Sequence, residues 1–335
     1  MRIGFVYDAR DEYRALGFSE EAVAEFDTPD TLDAIAAGLQ ANGCTVERIG
    51  HGRALAARLS AGDRWDLVFS VAEGLSGRAR EAQVPALCEL FDQPYVFSDP
   101  LTMAATLDKA VAKRLVRDAG VPTAPFAVIE TAADATAVAL SFPLFVKPVA
   151  EGTGKGCEAA SKVGSTVELV AAAERVLARY RQPALVEPYL PGREFTVGLV
   201  GNGSTARVIG VLEVVLLEGA EAGVYSLLNK EECERLVEYR LADDAEARRA
   251  GEWALKAYHA LGCRDAARLD FRSDAAGEPT FLEANPIAGL HPSHSDLPIL
   301  AGQAGISYDR LLGMILDAAA ARYDLDRQAR TRRAG

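Results

Sequence analysis

The sequence predicts an α/β fold at the N-terminus and an α+β fold in the rest of the chain. In the N-terminal part, short apolar segments alternate with a helical pattern, which is typical of an open α/β sheet. Farther along, turns rich in glycine and asparagine join the apolar segments, which indicates mostly antiparallel strands. The length of 335 residues is sufficient for two or three domains with substantial cores.

Four segments follow from this pattern. We expect an N-terminal α/β domain at residues 1–104, a central α+β domain at 105–189, a C-terminal α+β domain at 190–322 and a flexible tail at 323–335. The tail contains a basic run, RQARTRR, which is typical of a solvated chain end.

Composition excludes several classes of protein. The apolar content of 49% and charged content of 25% are ordinary for a soluble globular protein, and the net charge of −12 argues against a nucleic-acid partner. No apolar run reaches the roughly 18 residues of a membrane span. The N-terminus turns acidic before a signal peptide could form, and the five cysteines lack CxxC spacing. We therefore expect a cytoplasmic protein with reduced thiols and no membrane partner.

The N-terminal domain is predicted to contain three strands, RIGFVYDA, CTVERIG and WDLVFSVAEG, with a helix at residues 31–42. In open α/β sheets, ligands bind at the carboxyl ends of the strands. Tyr7, Asp8, Glu73 and Gly74 occupy such ends, and we expect them near a binding site.

A continuous helical pattern at residues 101–120 leads into the second domain. Three strands, FAVIE, PLFVKPV and ALVEPYL, and the amphipathic helix VELVAAAERVLARYR are expected there. The C-terminal domain is predicted to contain EFTVGLVGNG, ARVIGVLEVVL and a hairpin formed by RLDFRSDAAGEPTFLEAN.

The hairpin carries the most informative pattern. Alternation of side chains puts Arg268 and Asp270 on one face, and it puts Glu283 and Asn285 together with Phe281 on one face of the returning strand. The other face is predicted to be buried and to contain Leu269, Phe271, Leu282 and Ala284. Carboxylate and amide oxygens without histidine or cysteine suit Mg²⁺. The alternative is a solvated hairpin face.

Two loops have two interpretations each. FVKPVAEGTGKG, with Lys147 at the end of an apolar strand, is either a mobile turn or a glycine-rich cover for phosphate. VEPYLPGREF, with Glu187 and Glu194, is either a surface turn or a hinge that holds adenine and ribose.

Taken in this order, LDK at residues 107–109, both loops, RLDF and FLEANPIAGLHPSHSDLP resemble the D-alanine–D-alanine ligase branch of the ATP-grasp superfamily. The resemblance extends over about residues 3–316. It implies an ATP-grasp fold in which two α+β domains enclose ATP. It also implies an ATP-dependent carboxylate–amine ligase that uses Mg²⁺ or Mn²⁺ and acts on small amino acid-like substrates, and it permits a homodimer.

The resemblance assigns roles to individual residues. ATP would be bound by Lys109, Lys147, Gly152, Gly154, Glu187, Leu190, Glu194, Lys230 and Leu282. The metal would be held by Asp270, Glu283 and Asn285. The catalytic set would be Arg268, Thr153 and the backbone of Gly289, and substrates would meet Glu73, Arg78 and Ser295.

The N-terminal motifs depart from the family pattern. Glu73 stands where these ligases carry a histidine, Arg78 stands where they carry an acidic residue, and Glu25 is only a weak counterpart of their early glutamate. Arg78 and Arg80 lead us to expect a substrate with an additional carboxylate. The product is therefore left open, and a small-molecule kinase and a non-catalytic nucleotide-binding protein remain alternatives.

Overall fold

The computed structural model describes residues 1–221 and 223–325, so the basic run at 327–333 lies outside the described residues. Within this part of the chain, strands form three sheets of three, four and five strands. None of the helices described combines the length and the apolar character that a transmembrane span requires. All five cysteines are free thiols, and Cys157 is the one that is not fully buried.

The N-terminal sheet is parallel, with the order β2-β1-β3, and helices cover it. Its elements are β1 (Arg2–Val6), α1 (Arg10–Ala15), α2 (Pro29–Ala41), β2 (Thr45–Gly50), α3 (Gly52–Ser60), β3 (Leu67–Ser70) and α4 (Gln83–Leu90). The predicted open α/β arrangement is confirmed. Asp8, just after β1, accepts hydrogen bonds from Gly74 N (2.9 Å) and Tyr13 Oη (2.7 Å), which ties the carboxyl ends of β1 and β3 together.

The predicted continuous helix at 101–120 is wrong, because the chain forms two helices, α5 (Pro100–Leu107) and α6 (Lys109–Asp118). Asp108 has an extended backbone, with ψ of 97°, and its carboxylate caps α6 by accepting from Val111 N (3.0 Å). Lys109 therefore occupies the first turn of a new helix. The boundary expected at 104/105 lies within α5.

The second sheet is antiparallel, with the order β4-β7-β5-β6. Its elements are β4 (Ala127–Ile129), α7 (Ala132–Ala135), β5 (Leu144–Pro148), β6 (Lys162–Val163), α8 (Thr166–Tyr180) and β7 (Ala184–Pro188). One face of α8 packs Leu169, Ala172, Ala173 and Val176 against this sheet. Residues 149–158, between β5 and β6, form the glycine-rich loop.

The third sheet is also antiparallel, with the order β10-β9-β8-β11-β12. Its elements are β8 (Glu194–Val200), β9 (Arg207–Leu216), α9 (Leu227–Glu231), α10 (Cys233–Leu236), β10 (Val237–Leu241), α11 (Ala245–Leu261), β11 (Ala266–Ser273) and β12 (Pro279–Asn285). Alanines of α11 pack on the sheet and allow close contact.

Two helices end the described chain, α12 (Asp296–Gln303) and α13 (Tyr308–Arg322). Leu312 and Ile315 of α13 are buried in one core cluster with Ile3 and Ile35 of the N-terminal sheet and α2. The last helix thus completes the N-terminal core, although the sequence pattern assigned it to the segment 190–322. Tyr323, the first residue of the expected tail, is half-buried beside Tyr95, with ring centroids 6.2 Å apart.

Candidate active site

The predicted hairpin forms between β11 and β12. Asp270 lies directly opposite Glu283, and Arg268 lies opposite Asn285. Asp270 accepts hydrogen bonds from Arg268 Nε (3.1 Å), Asn285 Nδ2 (3.2 Å) and the Thr196 hydroxyl. The polar ends of both strands are therefore brought together as expected.

A bulge in this hairpin changes the predicted faces. The register shifts after Asp270, so that Phe281 lies opposite Phe271. These two rings pack in the core with centroids 5.7 Å apart, whereas Leu282 is the extra residue and faces a cavity. The expected grouping of Phe281 with Glu283, and of Leu282 with the buried face, was wrong because strict alternation fails at a bulge.

Glu283 is surrounded by ammonium groups. Lys109 Nζ lies 3.2 Å from its carboxylate and also donates to the Glu151 carbonyl. Burial would raise the pKa of Glu283, but Lys109, Lys230 and Lys147 outweigh burial and lower it. Asp270 differs, because burial raises its pKa despite the neighbouring Arg268. Glu283 is therefore firmly ionised, whereas Asp270, directly opposite, is more easily protonated.

Glu187 bridges two buried lysines. Its carboxylate lies 2.7 Å from Lys113 Nζ and 2.8 Å from Lys147 Nζ, and all three side chains are at most 8% exposed. Burial opposes ionisation, but the two lysines prevail and lower the pKa of Glu187 to about 2. The sequence analysis missed Lys113, although it follows Lys109 by four residues on the same face of α6.

A cavity of about 100 Å³, the lysine cavity, lies between the second and third sheets. Residues predicted to act together line it: Lys109, Lys147, Gly154, Glu187, Leu190, Glu194, Lys230, Asp270, Leu282 and Glu283. Gly152 is absent from this wall, and its N–H instead donates to Glu25 (2.5 Å).

Arg272 is a residue of the lysine cavity that the sequence analysis did not single out. Its guanidinium lies 3.1 Å from the Glu194 carboxylate and donates to the Gly223 carbonyl (3.0 Å) and Tyr189 Oη (3.0 Å). It also lies over the Tyr189 ring, 5.0 Å from the centroid. Glu194 is thus neutralised at one end of the cavity.

The glycine-rich loop lies against the segment that precedes and forms α9. A Cβ on Gly154 would be 3.0 Å from Leu227 N and 3.1 Å from the Ser226 carbonyl carbon, and φ at Gly154 is +74°. Thr153 also has a positive φ, of +54°. Since the two segments touch over the lysine cavity, they form a cover that only a glycine at position 154 permits.

A second cavity of about 500 Å³, the acidic cavity, lies beyond the hairpin. Other predicted site residues line it: Glu73, Gly152, Thr153, Lys230, Arg268, Asn285, Gly289 and Ser295. Lys230 lines both cavities, as does Tyr225, whose hydroxyl donates to Asp296 (3.1 Å). The hairpin therefore separates two spaces that share a wall.

Two residues of this wall, Arg268 and Gly289, were predicted to be catalytic, and both have close neighbours. Burial would lower the pKa of Arg268, but Asp270 and Asp296 raise it, so the guanidinium stays charged. A Cβ on Gly289 would lie 2.8 Å from Ser295 Oγ, so a larger residue here would have to displace the Ser295 hydroxyl. Ser295 Oγ accepts from His291 N (3.0 Å).

The structure does not bring Arg78 to the acidic cavity. Arg78 lines a separate cavity of about 650 Å³ and pairs with Asp108 at 2.7 Å. Arg80 is buried, pairs with Glu25 at 2.8 Å and donates to the Ala150 carbonyl (2.8 Å). Because both guanidinium groups are already neutralised by the protein, they do not support the expectation of a substrate with an additional carboxylate.

Comparisons with known proteins identify relatives of this chain. Residues 115–317 match the family described as D-ala D-ala ligase C-terminus. The chain is 33% identical over 272 residues to a D-alanine–D-alanine ligase of Bordetella petrii, covering 80% of this chain and 79% of that one. It is 35% identical over 263 residues to the uncharacterized protein y4sG of Sinorhizobium fredii, covering 77% and 75%.

A solved structure has the same fold. The D-alanine–D-alanine ligase from Bacillus anthracis, complexed with ATP, aligns with 97% of this chain and 99% of its own, with a TM-score of 0.72 and 21% identity. At this identity the likeness concerns the fold alone.

Proposed function

Because the chain belongs to the D-alanine–D-alanine ligase family of ATP-grasp proteins, we propose that it is an ATP-dependent ligase that joins the carboxylate of one small amino acid or related molecule to the amine of another. The observation that carries the proposal is the hairpin that separates the lysine cavity from the acidic cavity. The cationic wall of the lysine cavity is suited to the phosphates of ATP, for which this cavity of about 100 Å³ would have to open, and the acidic cavity would take the substrates.

We propose that Asp270, Glu283 and Asn285 hold Mg²⁺ or Mn²⁺. The donor set fits, because two carboxylates directly opposite each other repel unless cations lie between or beside them, and carboxylate and amide oxygens are hard ligands. When bound, the divalent cation would neutralise charge on the phosphates of ATP.

The nucleotide would be held by the walls of the lysine cavity. Lys109 and Lys147 would exchange their present carboxylate partners for contacts with phosphate oxygens, and the loop with Gly152, Thr153 and Gly154 would cover the phosphates. Lys230 would reach the nucleotide from α9. Adenine would contact the remaining predicted residues, Glu187, Leu190 and Leu282, while Glu194 would take the ribose hydroxyls.

The reaction would have two steps. The carboxylate of the first substrate attacks the γ-phosphorus of ATP, so that an acyl phosphate forms and ADP leaves. The amine of the second substrate attacks the acyl carbon, and phosphate leaves as the amide forms. Arg268 and the Gly289 N–H would stabilise the oxyanion of the tetrahedral intermediate. Glu73 and Ser295, which line the acidic cavity, would orient the substrates. Arg78 lines a separate cavity, so it would affect the substrates only indirectly.

The direct test is a screen of pairs of D- and L-amino acids with ATP and Mg²⁺, measuring release of ADP and phosphate. We expect ADP release that depends on an amine and a product whose mass is that of the two substrates minus water. A stable phosphorylated product without amine dependence would instead identify a kinase. Binding of ATP without hydrolysis across the panel would identify a non-catalytic protein.

Two further expectations accompany the proposal. The homodimer that the resemblance permits can be tested by light scattering at micromolar concentration. The expected lack of a nucleic-acid partner can be tested by filter binding at low salt, where electrostatic binding is strongest.

A further inference from the structure

Most of the charged side chains that line the acidic cavity are carboxylates. Seven of them line it: Glu25, Asp27, Glu73, Glu81, Glu231, Glu234 and Asp296. Among the described residues, the permanently cationic side chains in its wall are Arg10, Lys230 and Arg268. The wall therefore has a surplus of negative charge, in contrast to the lysine cavity.

Four of these carboxylates are neutralised within the protein. The pairs are Glu25 with Arg80 (2.8 Å), Glu231 with Arg10 (3.9 Å), Glu234 with His294 (3.1 Å) and Asp296 with Arg268 (3.5 Å). Lys230, whose Nζ lies 4.6 Å from the centroid of the Tyr225 ring, also faces Glu283. The cations of this wall are therefore already engaged.

Three carboxylates remain. Across residues 1–221 and 223–325, the side chains of Asp27, Glu73 and Glu81 have no hydrogen bond or ion pair within the protein. Glu81 is only 9% exposed and still faces the cavity. Among the described residues, the oxygens of these three carboxylates do not belong to the fully enclosed unpaired polar atoms, so they reach the open space of the cavity, where a bound cation could contact them.

The electrostatic state of these groups points to a ligand of positive charge. Burial raises the pKa of both Asp27 and Glu81 to about 7, and burial together with Glu81 and Glu25 raises the pKa of Glu73 well above its usual range. A cation bound among them would favour their ionised forms.

We infer that one of the two substrates carries an ammonium or guanidinium group on its side chain, beyond the α-amino and carboxylate groups of an ordinary amino acid, and that Asp27, Glu73 and Glu81 bind it. A diamino acid or a guanidino acid has this chemistry. The inference rests on the proposed function, because it names the class of substrate for the same cavity. It reverses the charge that Arg78 and Arg80 led us to expect.

The test is a calorimetric titration of the full chain, with ADP and Mg²⁺ present, using pairs of ligands that differ only in charge. Ornithine is compared with norleucine, and 2,4-diaminobutyrate with norvaline, each in both enantiomers, since a methyl group replaces the ammonium group in each pair. We expect at least about 10-fold tighter binding of the charged member in at least one pair, which is the usual effect of one charged contact of about 1.4 kcal/mol. Equal or tighter binding of every neutral member would overturn the inference.

Variants identify the residues responsible. Glu81→Gln and, independently, Glu73→Gln keep the side-chain shape and should each reduce the preference for the charged ligand to within about 3-fold. Glu174→Gln, on the exposed face of α8, is the matched control and should retain the full preference. A preference that survives in both cavity variants would exclude these residues as the cation site.

Measurements of ADP release distinguish failure of this inference from failure of the proposed function. If the charged ligands bind preferentially but no pair of amino acids supports ADP release, the ligase proposal fails and the cation site stands. If neutral pairs support ADP release and the charged ligands show no preference in binding, the ligase stands and the cation site fails.

Discussion

The two cavities on either side of the β11–β12 hairpin differ in how their charges are balanced. In the lysine cavity, Glu187 and Glu283 each lie beside lysines. In the acidic cavity, Asp27, Glu73 and Glu81 face open space and have no such partners within residues 1–221 and 223–325. Both walls are built from buried ionisable groups, so burial alone does not explain the difference.

The difference determines how each wall can accept a charged ligand. A wall of paired charges can exchange its internal partners for phosphates and a metal without a large change in net charge. The negative charge of the unpaired carboxylates in the acidic cavity is neutralised only when they bind a proton or a cation. Removing a carboxylate should therefore have opposite effects in the two cavities, which the following predictions test.

The largest expected effect is on stability in the lysine cavity. Glu187→Gln leaves Lys113 and Lys147 buried without a counter-charge and should lower the free energy of unfolding by about 3–5 kcal/mol. Urea denaturation followed by circular dichroism measures this. Glu20→Gln, which breaks an exposed pair with Arg14, should leave the midpoint unchanged. A Glu187 variant as stable as the parent would show that the bridge is not needed.

The second effect is on activity. Glu283→Gln removes one carboxylate of the proposed metal site and should lower the rate of ADP formation at least about 100-fold while the fold persists. Initial rates at saturating ATP measure this, with circular dichroism as the check on folding. Glu174→Gln serves again as the exposed control. Near-normal ADP formation by the Glu283 variant would show that Glu283 does not hold the metal.

The third effect concerns the cover of the lysine cavity. Gly154→Ala forces an alanine to a φ of +74° and to within about 3 Å of α9, so loop closure becomes unfavourable by about 1–3 kcal/mol. The KM for ATP should rise about 10-fold. Gly43→Ala has the same φ of +74° but no atom within 4 Å, and it should change stability without changing this KM. Equal KM values in the two variants would argue against a cover.

The smallest expected effect concerns Asp27 in the acidic cavity. Removing this carboxylate should stabilise the folded protein above neutral pH, whereas removing Glu187 should destabilise it. Folding raises the pKa of Asp27 from 3.8 to about 7, mainly by burial, with Arg10 lowering it and Asp8 raising it. Asp27 therefore contributes most to stability when protonated, and this contribution is lost as the pH rises through about 7. Between pH 6 and pH 8 the loss is about 1 kcal/mol.

Asp27→Asn cannot ionise and should escape this loss. Relative to the parent, the variant should gain about 1 kcal/mol between pH 6 and pH 8, as measured by urea denaturation without ligands. A difference between the two proteins that does not change with pH would show that Asp27 is already ionised in the folded chain.

Much of the fold and of the lysine cavity was predictable because local patterns specify them. The strands of the N-terminal sheet and the opposition of Asp270 and Glu283 follow from apolar runs and from a turn at fixed spacing. The bulge that turns Leu282 toward the cavity did not follow, since one extra residue leaves the apolar pattern nearly unchanged. The break at Asp108 was likewise hidden within a sequence of good helix formers.

The acidic cavity was less predictable because its residues come from distant segments. Arg78 and Arg80 share a motif, but one pairs with Asp108 and the other with Glu25, which is 55 residues away. A charge in a sequence motif does not reveal whether the protein itself neutralises it. Only the assembled structure shows which charges remain free.

By itself, the sequence determined the main strands of the three sheets, the acidic hairpin and the lysines and glycines around it, because these depend on residue types at short spacing. The tertiary structure decided how α13 completes the N-terminal core and which of the seven carboxylates keep an open face. The physical reason is that burial and charge pairing depend on which residues are close together in the folded protein. The protonation state of an ionisable group is therefore set by neighbours that can be far away in the sequence.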